Sequence, residues 1–597
     1  MIRVRHAAWR VLPLLLLLGF YWPGLTIWFY QDDFGWLNLP RDVHSFRDLG
    51  PALFAPKAHG NMRPLGENAY FLVFGSLFGV NPLPFRIWAF LTQMGSLVLL
   101  GSIALRLTGS RAAGFWAQIL WIANCGVAPL MCWTSIYNQV LSGFFFLLAF
   151  YFLLRHIETG EKFYYIAQWA AFVFGLGALE TNVMYPALAA VYTLLFARPF
   201  LKRILPMFPV SALAVWIHFR FAPLAHDGPY ALHLDSRILT TLWTYWTWTL
   251  GPPRLAVVRP TPFWVVALTI GVLSAACVTL IAVQARRRDY TGVFAMAWFV
   301  IVLGPYLPLS EHLTDYYVAI PAIGVAILGA WAIACAWRAR PLWRIGAVLC
   351  VATYLANSLP VAWFITGWNH ARAARVEDLV LGVAEVHQAQ PGKMILLDGI
   401  DTDLFWSAIV NVPFRVMEIP HVYLVPGSES RIEGPSDLVT KYVLAQGPAL
   451  RILKEDRAVV YRVDGPVLRN VTSRYRTVWK PEQPRFINLG DSVYAEYLGS
   501  GWNQIGDGYR MMSQLATLQM GGPRGPNDCL YVGVFDVPQF HIGIRVDRVD
   551  VPVELIRRDY QLSEFSARLP AAVIGKEVVE ITLSTNSPQP IRFLEIR

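Results

Sequence analysis

The sequence predicts a polytopic α-helical membrane protein of roughly eleven spans, followed by an exported C-terminal region of mixed α/β and β-sandwich structure. Three observations carry that prediction. The 597 residues are 55% hydrophobic and only 15% charged, with a mean hydropathy of +0.42, too apolar for a soluble chain of this size. Apolar runs of about 15–25 residues recur through the first 365 positions. After Trp368 those runs stop, and short strand-like pieces separated by Gly, Pro, Asn and Asp replace them.

The spans are expected at 11–29, 87–105, 113–131, 137–154, 165–179, 182–197, 204–221, 262–285, 291–307, 316–337 and 342–364. With Met1-Ile-Arg-Val-Arg5 in the cytoplasm, the connections on that side carry Arg106 and Arg111, Arg155 and Lys162, Arg198, Lys202 and Arg203, Arg286 to Arg288, and Arg338, Arg340 and Arg344. Each is basic, as the positive-inside rule requires. The net charge of +10 therefore reads as topology; its residues form no patch with interleaved aromatics, which excludes a nucleic-acid partner. The basic start and Leu-rich run also have the look of a signal peptide, but no small-x-small site follows Leu14–Leu18. We expect an uncleaved first helix.

An odd number of spans exports the C-terminus, giving three domains: 1–365 in the membrane, 366–480 as a small mixed α/β region, and 481–597 as a β-sandwich module. The middle region is expected to hold a strand at Met394–Leu397 and a hairpin across Arg451–Tyr461. Residues 237–250, rich in Trp, Tyr and Thr, read as an interfacial helix on the exported side. Five of the six cysteines lie in apolar helices and only Cys529 is exported, so no disulfide framework is expected.

The candidate site begins at Asp32-Asp33, in Trp28-Phe-Tyr-Gln-Asp-Asp-Phe34, where the first helix leaves the bilayer. Ionised groups so close to hydrocarbon are costly and by default mark function. Arg63, in Gly60-Asn-Met-Arg-Pro-Leu-Gly-Glu67, either clamps a phosphate with its planar fork or pairs with Glu67 or a lipid headgroup. Glu180 is a supporting carboxylate or a helix end. The loop Leu309-Ser-Glu-His-Leu-Thr-Asp-Tyr-Tyr317 offers Glu311, His312, Asp315, Tyr316 and Tyr317 to a lipid-linked head, a sugar or a proton, or caps the next helix through Thr314 or Asp315. These clusters share one side of the membrane.

Together, the Asp-Asp pair, Arg63-Pro64, Leu179-Glu-Thr-Asn182 and Pro308-Leu-Ser-Glu-His-Leu-Thr-Asp-Tyr-Tyr-Val-Ala-Ile-Pro321 resemble the GT-C superfamily of integral-membrane glycosyltransferases. Within it they are most similar to protein O-mannosyltransferase-like and related bacterial enzymes that use polyprenyl-phosphate sugars. The resemblance implies a donor sugar on a polyprenyl phosphate and a glycan, lipid or protein acceptor carrying a hydroxyl. It implies Asp32 or Asp33 as catalytic base, with Asp32 favoured and its neighbour orienting. Arg63, Glu311, His312, Asp315 and Tyr317 would bind the donor phosphate or lipid head, with Glu180 behind them. It implies no obligatory cofactor, although a divalent cation at Asp32/Asp33 stays open. Gly501-Trp-Asn-Gln-Ile-Gly-Asp-Gly-Tyr-Arg-Met-Met512 is similar to β-sandwich modules of bacterial sugar transferases; Trp502, Tyr509 and Arg510 either contact glycan or pack the core. The expected location is a bacterial inner membrane, with the C-terminal region periplasmic. The rival class is a transporter of a lipid-linked sugar, for which midplane charges and internal repeats would be expected.

Overall fold

The computed structural model describes every residue except 1, 58–60, 223–227, 229, 480, 536–540 and 560–561; the side chains of 2–10, 436 and 558–559 also lie outside the description. The chain divides into two units, Met1–Ala374 and Arg375–Arg597.

The first unit is helical. Among the described residues, five helices are long and apolar enough to cross a membrane: Pro82–Thr108, Thr134–Thr159, Arg198–Phe221, Phe263–Arg286 and Pro341–Ala389. Three shorter apolar helices accompany them, Val11–Leu25, Thr291–Tyr306 and Ala322–Trp337. Lys162–Ala178 and Tyr185–Phe196 follow the expected runs with 17 and 12 residues. The expected span 113–131 is two helices, Arg111–Ile122 and Val127–Cys132. Asn124 explains the break: its side-chain oxygen accepts from the Gly126 amide at 3.0 Å and its amide group donates to the Thr249 carbonyl at 3.1 Å, serving a turn instead of a helix. Arg237–Leu250 is a helix of 14 residues, with Leu239 and Trp243 exposed and Thr241 and Tyr245 buried.

Aromatic side chains fill the centre of this unit. Phe150 stacks on Phe294 with ring centroids 5.4 Å apart, and Trp298 packs edge-on against Phe150 while its indole donates to the Ile320 carbonyl at 3.2 Å. By contrast Phe263, Trp264 and Leu268 on the Phe263–Arg286 helix are 85%, 68% and 60% exposed. Apolar surface on that scale matches a hydrocarbon solvent.

The second unit begins with a four-stranded sheet. Met394–Asp398 lies at its centre, parallel to Val422–Leu424 on one side and to Ala458–Asp464 on the other; Val467–Asn470 adds an antiparallel edge. The expected hairpin is displaced. Gln446–Lys454 is a helix that buries Ala449, Leu450, Ile452 and Leu453, and the hairpin runs from Ala458 to Asn470. Two further sheets, of four and seven strands and antiparallel in pairing, follow from Phe486 onward. Their inward residues, such as Ile544, Val546, Val532 and Leu594, join one core with Leu396, Val460 and Leu450 of the first part.

Candidate functional site

The chain leaves its first helix through a short 3-10 turn, Trp22–Leu25, and reaches Gln31 with φ +54°, a left-handed backbone that a side chain disfavours. That kink places two consecutive carboxylates in opposite environments. Asp33 opens the helix Asp33–Leu37 and is fully buried. Its Oδ1 accepts from the Ser135 amide at 2.7 Å and the Ser135 hydroxyl at 2.5 Å, and its Oδ2 accepts from the Tyr30 amide at 3.1 Å. Burial pushes its carboxyl up to about 6, against the pull of Arg86 and of the Ser135 bonds. Asp32 is exposed, and its charge reaches Tyr230 together with that of Arg63.

Arg63 is held by two acids far apart in sequence. Its Nε donates to both oxygens of Glu180 at 2.9 and 3.0 Å, and one terminal nitrogen donates to Glu67 at 2.5 Å. Asn138 donates to the same Glu67 oxygen. Gly66 lets this corner close, since a Cβ there would lie 2.4 Å from the Ala178 carbonyl oxygen and 2.9 Å from the Asn138 Cα. Burial raises the Glu67 carboxyl, while Arg63 outweighs burial at Glu180 and holds it low. The sequence offers Arg63 either to a phosphate or to Glu67 or a headgroup; here its guanidinium pairs with Glu67 and with Glu180.

The 309–317 loop divides its polar residues. Glu311 is half exposed and pairs with His233 at 3.2 Å and Arg237 at 3.7 Å. Asp315 pairs with Arg254, which lies over the Trp248 ring at 4.8 Å. His312 packs against Tyr230 with ring centroids 4.4 Å apart and the planes tilted by 35°, and burial lowers its pKa. Tyr317 stacks on Tyr306 at 3.9 Å, and Tyr316 meets Trp133 edge-on at 6.1 Å. Trp133 in turn stacks on Tyr30, whose hydroxyl donates to Asn369 at 2.6 Å. Thr314 precedes the turn Asp315–Val318 without a side-chain cap bond. An aromatic wall thus runs from the segment carrying Asp32 to the loop carrying His312. Arg63 acts electrostatically on Tyr306, Tyr316 and Tyr317. Glu311 belongs to a separate, more exposed ion-pair group.

Several residues of this site lie outside the set expected from the sequence. Arg86, 2% exposed, was placed just outside the span 87–105, yet it lies within the helix Pro82–Thr108 and donates to the Ile27 carbonyl at 3.3 Å. A charge at the start of an apolar run is the cue that could have found it. Ser135, Asn138 and Tyr30 are uncharged residues in apolar surroundings and carry no such cue.

The Asp32–Asp33 pair does not fit a shared divalent cation. Asp33 already accepts three hydrogen bonds in a buried pocket, whereas Asp32 faces outward. Among the described residues no three His, Cys, Asp or Glu side chains gather as a metal site. In the second unit, Trp502 packs against the core and its indole donates to the Thr517 carbonyl at 2.7 Å. Tyr509 meets Phe535 edge-on at 5.3 Å, and Arg510 lies in the field of Asp491.

No protein-family model and no curated protein matches the chain. Among solved structures it is similar to ArnT from Cupriavidus metallidurans in the apo state, with 14% identity over 77% of this chain and 93% of that one and a TM-score of 0.43. The same protein bound to undecaprenyl phosphate gives 13% identity, coverage of 95% and 99%, and a TM-score of 0.41. The oligosaccharyltransferase of Archaeoglobus fulgidus gives 10% identity, coverage of 98% and 96%, and a TM-score of 0.41.

Proposed function

We propose that the first unit is a GT-C type glycosyltransferase that moves a sugar from a polyprenyl-phosphate donor to an acceptor hydroxyl at the exported face of a bacterial inner membrane. The observation that carries this reading is the split of the Asp pair: one carboxylate is buried and fixed by three donors, and its neighbour is presented outward in a neighbourhood shared with Arg63 and Tyr230. In this reading Asp33 is a positioning residue and Asp32 the base. Asp32 takes the acceptor proton as its oxygen attacks the anomeric carbon, the bond from that carbon to the phosphate oxygen breaks, and configuration inverts. Arg63 spends two of its nitrogens on Glu67 and Glu180, so it offers the departing phosphate one terminal nitrogen and otherwise orients those acids. The aromatic wall of Tyr30, Trp133, Tyr316 and Tyr317 suits the apolar faces of a sugar ring.

The test is transfer of labelled sugar from a panel of polyprenyl-phosphate donors in membranes holding wild type or Asp32→Asn at equal levels. Donor consumption that falls about 10²–10⁴-fold in the variant supports the assignment. Equal turnover by both proteins, or donor crossing the bilayer unconsumed, would sink it in favour of transport.

A further inference from the structure

A cavity of about 510 Å³ lies between the helices Phe263–Arg286 and Ala322–Trp337 and the first turns of Pro341–Ala389. Its walls are almost wholly apolar and small, with Leu273, Cys277, Ala332, Ala336 and Cys350 among them. Polar groups gather at one end, where Arg287, Gln284 and Trp343 line the opening. Arg338 belongs to the same end: Cys335, another lining residue, feels the fields of both Arg287 and Arg338. One acid is nearby: Asp289, whose carboxylate accepts from the Thr291 amide at 3.0 Å, also acts on Cys335 and offsets part of that charge, leaving two arginines to one carboxylate. At the other end the Tyr354 hydroxyl donates to the Leu120 carbonyl at 3.0 Å and accepts from Asn124, so that end presents no uncommitted charge.

A long apolar chamber with cationic groups at a single end selects an amphiphile whose only charge is anionic and terminal. Water gains little in an apolar cavity, and a soluble anion would leave the chamber unfilled. Arginines between helices at the basic face of a membrane protein hold lipid phosphates through their fork of donors. Trp343 and Trp337, 60% and 53% exposed, sit at the same end and favour the headgroup level.

We propose that this cavity is a site for an anionic membrane phospholipid, with an acyl chain between the three helices and its phosphate at Arg287 and Arg338. The site lies at the basic end of these helices, away from Asp32 and the aromatic wall, and is independent of the transferase assignment.

Full-length protein in mild detergent, exchanged against phosphatidylglycerol, phosphatidylcholine or polyprenyl phosphate and read by native mass spectrometry, tests the idea. Phosphatidylglycerol is expected to be retained over phosphatidylcholine. The double variant Arg287→Gln/Arg338→Gln should weaken that retention about thirtyfold. Gly346→Phe fills the chamber from a position where a Cβ meets nothing within 4 Å, and should expel the lipid while leaving the melting temperature unchanged. Should that variant fold poorly, the arginine pair decides, since both side chains are exposed. Equal retention of the two phospholipids, unchanged retention in the double variant, or displacement of phosphatidylglycerol by polyprenyl phosphate would each overturn the proposal.

Discussion

The two units treat their buried carboxylates in opposite ways. In the first, Asp33 and Glu67 are surrounded by donors, yet burial still lifts both above the ordinary carboxylate range. In the second, Asp398 is 1% exposed at the end of the central strand and is held low, against burial, by Tyr475, by Arg462 at 2.6 Å and by Arg431 at 3.3 Å. Asp491, equally buried, is held low by His421 and Tyr423. Two residues depart from that rule: Glu180 in the first unit is held low by Arg63 against burial, and Glu595 in the second rises to about 7 with burial. The difference teaches where partners over-compensate burial, as structural staples, and where burial outweighs even several donors. The latter state is costly, and it clusters at functional sites.

The sharpest way to break the comparison is Asp32→Asn, which should remove transfer by two to four orders of magnitude while leaving the melting curve in place. Next is Arg63→Met, which strands Glu67 and Glu180 together. It should cost about 3–5 kcal/mol in denaturation assays, and Glu180→Gln added to it should recover part of that loss.

Titration then separates the two units by sign. The folded-state value of Asp33, about 6, lies above the unfolded value. Its stabilising contribution is therefore complete below about pH 4 and lost as pH rises through 6. Melting of Asp33→Asn against wild type should shift in the variant's favour across that window. Asp491 lies below its unfolded value, so Asp491→Asn should show its full deficit above about pH 4 and lose it in acid. Parallel slopes for the two variants would remove the contrast. The smallest effect is expected for Asp398→Asn, about 1–2 kcal/mol, because Arg431 and Arg462 are partly exposed and can return to water.

What could be read in the sequence depended on range. Asp32, Asp33 and Glu180 announce themselves as charges beside apolar runs, and no partner is needed to notice them. That Arg63 joins Glu67 to Glu180 across 117 positions is invisible without the fold. Residues 451–454 read as the start of a hairpin because a short apolar stretch fits either period; they close the helix Gln446–Lys454, which buries Leu450 and Leu453 on one face. The break at Asn124 was hidden for a related reason: hydropathy averages over a polar residue whose side chain replaces two backbone partners.

The kink at Gln31 has a bearing on engineering. A left-handed φ on a residue with a side chain stores of order 1 kcal/mol or more, and here it sits directly before the Asp pair. Gln31→Gly would release that strain and make the folded chain more durable, while freeing the segment that aims Asp32. A screen for thermostable variants would therefore enrich this substitution, and a screen for turnover would discard it.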